Sequence, residues 1–201
     1  MKRSLIIPLV FVSVFNSVNS FSQKETWNWY MAGSPAPGIG FSTGAPVSLT
    51  NSGITFSHES GGSISDANGN LLFYADGNSV IFNKNHVAMT NGTGIVMHNS
   101  VTQGCIFVPK PGSATIYYMF HIGVPSLGNP PFNLYYSEID ITASGGLGAV
   151  TANKNISIPT SFGNCSEKMS ATKHCNGTDY WLLVHSYNGN TFRAYPVTAA
   201  G

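Results

Sequence analysis

The stretch Ser63–Gly77, SISDANGNLLFYADG, contains a short strand, a polar turn ending at Gly69 and an aromatic strand. Looser versions follow at Cys105–Phe120, CIFVPKPGSATIYYMF, and at Met169–His185, MSATKHCNGTDYWLLVH. Aligned on Gly69, Gly112 and Gly177, the copies recur at 43 and 65 residues, the longer interval carrying the insertion IGVPSLGNPP. Periods of that size, with several strands and no helix, predict the blades of a β-propeller, because a lone sheet cannot bury both faces and needs its neighbours. The first strands of the blades are expected near Ser63, Cys105 and Met169. The runs TIYYMF and YWLLV suit second strands covered on both faces, whereas NLYYSEIDIT and NTFRAYPVT alternate as outer strands do. A β-sandwich of similar hairpins is the alternative. No segment sustains a period of 3.6, so the class is all-β.

The 201-residue chain opens with Lys2 and Arg3, an apolar run from Leu5 to Phe15, and Ser20-Phe21-Ser22. That is the pattern of a secretory signal peptide over residues 1–22, too short for a membrane span. The domain expected after it, 23–201, holds seven basic and eight acidic residues, with no basic stripe for a phosphate backbone. Nucleic acid is therefore excluded as a partner, and a secreted or cell-surface location is expected. The low charge, 8% of residues, with abundant Asn, Gly, Ser and Thr, also disfavours helices.

The domain reads as an incomplete propeller of about three blades plus a partial N-terminal blade, made of the strand-like WNWYM, GIGFS and PVSLT. The last copy stops at PVTAAG, whereas the matching DITASG of the copy before continues through GLGAVTANKNISIP into another strand. The sequence is thus expected to be the N-terminal part of a longer protein with open blade edges.

The ordered set WNWYMAG, GFSTGAPVSLTN, ISDANGNLLFYADG, NKNHVAMTNGTG, TQGCIFVPKPGSATIYYMF, GGLGAVT, EKMSATKHCNGTDYWLLVH and FRAYPVT resembles the N-terminal region of large surface proteins of gliding bacteria. Those proteins are exported by the type IX secretion system and typically continue into immunoglobulin-like repeats and a gliding-type sorting domain. The resemblance implies a WD40- or quinoprotein-like propeller to which no catalytic residues are assigned. Together with the export pattern and the missing catalytic motifs, it points to a non-catalytic recognition module serving adhesion or gliding, for which an extracellular glycan or protein is the expected partner.

Candidate site residues are few. Lys173 and His174 stand near the end of a first strand, where blade-edge residues converge on a central opening. Glu59 and Asp66 are the carboxylates that a propeller-type glycoside hydrolase or lyase would pair, the competing reading. Asp66-Ala67-Asn68-Gly69-Asn70 starts like a calcium loop, but Gly77 stands where the closing Glu belongs, so a hairpin turn is expected there. The six histidines, His58, His86, His98, His121, His174 and His185, have no metal-ligand spacing. No nucleotide, P-loop or nucleophile-elbow motif occurs, so neither a cofactor nor a catalytic set is expected. Cys105, Cys165 and Cys175 are an odd number, and an intervening strand holds Cys165 and Cys175 too far apart to bridge.

Overall fold

A computed structural model describes residues 24–30, 38–55, 59–124 and 132–201; the expected signal peptide and His58 lie outside them. The chain is all-β. After a 3-10 turn at Lys24–Thr26, β1 (Asn28–Tyr30), β2 (Gly38–Gly40) and β3 (Val47–Leu49) form a first antiparallel sheet. A four-stranded meander follows: β4 (Gly62–Ser65), β5 (Leu71–Ala75), β6 (Val80–Asn83) and β7 (Ala88–Thr93). The next meander is β8 (Cys105–Pro109), β9 (Ile116–Gly123) and β10 (Asn133–Asp140), with an outer position shared by β11 (Ala149–Val150) and β12 (Ile156–Ile158), both paired to β10. A turn at Ala143–Gly146, with Ser144 and Gly145 in left-handed backbone, precedes β11. The last sheet is β13 (Cys165–Lys173), β14 (Tyr180–Ser186) and β15 (Phe192–Val197).

One parallel bridge, Thr90 to Ala149, joins the two middle meanders into a nine-stranded sheet whose path ends, β4 and β8, lie side by side. The halves of that sheet are called here the second and third sheets.

The hairpins form where the turn chemistry requires. Gly69, Gly112 and Gly177 adopt φ of 88°, 75° and 78°, a region open to glycine because it has no Cβ. At the first of them Asp66 builds an Asx turn: its Oδ1 accepts from the N–H of Asn68 (2.8 Å) and of Asn70 (2.9 Å). Asp76 and Asn83 repeat the same turn at the following hairpins.

Three cores separate the four sheets. Tyr30, Tyr74 and Phe82 pack between the first and second, with Tyr30 stacked on Tyr74 at 4.3 Å. Phe73, Ile81, Met119 and Ile139 fill the space between the second and third. Tyr118, Phe120, Leu134, Leu182 and Val184 fill that between the third and fourth. Strand β9 is accordingly covered on both faces, Met119 on one and Tyr118 and Phe120 on the other, as its unbroken apolar run predicts. Strand β14 departs from that expectation. Leu182 and Val184 are buried, but Leu183 between them is exposed, because no sheet among the described residues covers that side.

Candidate functional site

Strands β4, β8 and β13 each open a meander and pair along their length with the second strand of the same sheet; on its other edge β13 is bonded only near its start, where Cys165 bridges Phe132 and Glu167 O accepts from the Gln103 N–H. Their other edges face one another, β4 beside β8 and β8 beside β13, and enclose a cavity of about 480 Å³. Ser63 of β4, Cys105 and Phe107 of β8, Thr172 and Lys173 of β13, and Glu25 of the 3-10 turn line it. Edge strands normally risk pairing with other chains; here three such edges are turned inward around a shared space.

The cavity's chemistry suits binding better than bond cleavage. Burial, and then the charge of Asp76, pushes the Cys105 thiol up to about 12, so it is neither a nucleophile nor a metal-binding thiolate. Tyr180 on the wall is also raised, by burial first and then by the Glu25 carboxylate. Glu25 and Lys173 do not pair with each other; the ion pair among the described residues is Lys110 to Glu138, at 3.3 Å. The wall thus offers one cation, one anion and hydroxyl groups.

Of the residues expected from sequence, Lys173 lines the cavity and His174 does not. The His174 ring rests against Trp181 at 5.1 Å, and its Nδ1 accepts from the Asn176 N–H at 3.1 Å, so it serves the hairpin turn. Glu59 and Asp66 are not a pair. They flank β4 at its two ends, seven positions apart along mostly extended chain, on the order of 20 Å. Glycosidase carboxylates stand about 5–9.5 Å apart. Burial alone would raise the Asp66 carboxyl, but hydrogen bonds from the Asn70 side chain and adjacent N–H groups outweigh it and hold the group below its usual value. A depressed carboxyl with both oxygens committed to a turn is poorly suited to act as a general acid.

Sequence inspection missed a second constellation. Thr102 donates its hydroxyl to Glu167 Oε2 at 2.9 Å, and its N–H to the same oxygen at 3.2 Å. Glu59 Oε2 faces that hydroxyl at 3.4 Å. A signal for it was present: Glu59, Thr102 and Glu167 each stand ten residues before the turn glycine of their copy.

The described histidines are dispersed, each in its own local network, and no group of three or more His, Cys, Asp or Glu among the described residues could hold a metal ion. All three cysteines are free, Cys105 and Cys165 buried and Cys175 exposed. No helix among the described residues is long and apolar enough to cross a membrane. In comparisons with protein-family models, curated proteins and solved structures, nothing matches this chain.

Proposed function

We propose that this is a non-catalytic recognition or adhesion module of a secreted or cell-surface protein, gliding-associated as the sequence resemblance implies. Its four sheets are propeller blades, and its ligand, an extracellular glycan or protein segment, enters the cavity at their axis. The observation that carries this reading is the meeting of Glu59, Thr102 and Glu167. They are one repeat position in three copies, and equivalent positions converge when copies turn about a common axis, as blades do. The strand edges around that axis present backbone N–H and C=O groups, which suit the hydroxyl or amide groups of a polar ligand.

One feature favours the competing reading, a propeller-type glycoside hydrolase or lyase acting on polysaccharide: Glu59 and Glu167 face a single hydroxyl. A panel of immobilised polysaccharides, assayed for retention and for released product, separates the two. Retention without product, weakened about tenfold or more by Lys173→Ala, supports recognition. Product release abolished by Glu59→Gln or Glu167→Gln replaces it with catalysis.

A further inference from the structure

Among the described residues, no sheet covers the outer face at either end of the stack. In the fourth sheet Leu182 and Val184 point into the third core, so Trp181, Leu183 and His185 point away from it. Cross-strand partners share a face, so Phe192, Ala194 and Pro196 of β15 and Ser170 and Thr172 of β13 join them. Leu183 stands six residues after Gly177. The residues six after Gly69 and Gly112 are Ala75 and Tyr118, which are 0% and 5% exposed because the following sheet covers them. Leu183, at the same repeat position, is 41% exposed, and Phe192 is 62% exposed. In the first sheet Tyr30 points into the first core and Trp29 points away, 48% exposed beside Ile39 and Phe41.

We propose that the uncovered face of the fourth sheet docks on the uncovered face of the first sheet of a second copy of this chain. The contact extends a joint that the chain makes three times internally, sheet against following sheet, using the strand positions that those joints bury. A second copy is the partner that carries the matching half. Within one chain the two halves do not meet, since Trp29, Leu183 and Phe192 all remain exposed. A strand added to the open edge of β15 would lack one donor, at Pro196. Ser186 N–H donates to Thr191 O at 2.9 Å, so by alternation the backbone groups of Phe192, Ala194 and Pro196 face outward, and proline has no N–H to offer there. Face packing needs no such donors.

The joint is heterologous, which makes it testable by complementation. Sedimentation velocity on the full chain is expected to show a reversible dimer or larger assembly. Trp29→Asp alone, or Leu183→Asp with Phe192→Asp, should each raise the dissociation constant about tenfold or more. These side chains are exposed, and unchanged circular dichroism and melting would show that the variants fold. Mixing the first-sheet variant with the fourth-sheet variant should restore association, because one intact joint remains. A chain that stays monomeric up to about 100 µM would overturn the proposal, since a joint weaker than that has no standing as a specific interface. So would association lost in the fourth-sheet variant but untouched by Trp29→Asp, which would mean that two fourth sheets meet each other.

Discussion

His121 on β9 is fully buried, and its two ring nitrogens are both committed. Val96 O lies 2.7 Å from Nδ1 and accepts, so Nδ1 carries the proton; Nε2, 3.1 Å from Ser137 Oγ, is bare and accepts the serine hydroxyl. The ring also stacks on Tyr135 at 5.7 Å. Burial, only partly opposed by the Val96 hydrogen bond, lowers its pKa from 6.5 to about 4. A histidine lowered on folding binds its proton more readily in the unfolded chain, so stability falls as pH falls from about 6.5 toward about 4. At about 1.4 kcal/mol per pH unit the full loss is roughly 3 kcal/mol, of which about 2 kcal/mol falls between pH 7 and pH 5. Two carboxyl classes act beside it. Asp76, raised by burial against hydrogen bonds from Val80 and Asn78, gains stability as pH falls toward the carboxylate range, whereas Asp66 and Asp140, held low, lose theirs only below it. Urea titrations at several pH values, on the wild-type chain and on His121→Gln, isolate the histidine contribution as the difference in slope. NMR of the imidazole ring gives its pKa directly. A ring that titrates near 6.5, or a variant with the wild-type pH slope, would refute the account.

Other consequences can be checked by the same unfolding measurements. Leu182→Ala should cost about 2–5 kcal/mol by emptying part of the third core, while Leu183→Ala, one residue away on the uncovered face, should change the stability of the monomer by about 0.5 kcal/mol or less. Gly69→Ala should destabilise by more than about 1 kcal/mol, because it forces a Cβ into positive φ and to within 2.3 Å of the Trp27 ring. Tyr74→Phe should cost about 1–3 kcal/mol, since the Tyr74 hydroxyl accepts from the Gly53 N–H at 2.6 Å and also bonds His86 Nδ1. At one end of the cavity strands, Thr102→Val should leave stability nearly unchanged, about 1 kcal/mol at most. It removes one exposed hydrogen bond and brings no buried group into play.

Much of the architecture could be read along the chain because its causes are local. The turn glycines demand positive φ wherever they stand, and an aromatic run such as TIYYMF declares a strand covered on both faces. The first strands near Ser63, Cys105 and Met169, the three short strands ahead of them and the all-β class follow from such signals. Other expectations failed where local pattern is degenerate. YWLLV carries the same run as TIYYMF, yet only three dimensions show whether a following sheet exists to cover Leu183. Glu59 and Asp66, the pair that the competing glycosidase reading needs, are close in sequence, but the extended strand between them carries them apart.

The sequence by itself determined which segments are strands, where they turn and which faces are apolar, since these depend on residues a few positions apart. Tertiary structure alone decided that Glu59, Thr102 and Glu167, separated by dozens of residues, meet at one point, that Lys173 but not His174 lines a cavity, and that one sheet face at each end is left bare. The reason is that sheet order and stacking are set by long-range burial, in which many distant apolar surfaces compete for the same neighbours, and no window along the chain records which of them wins.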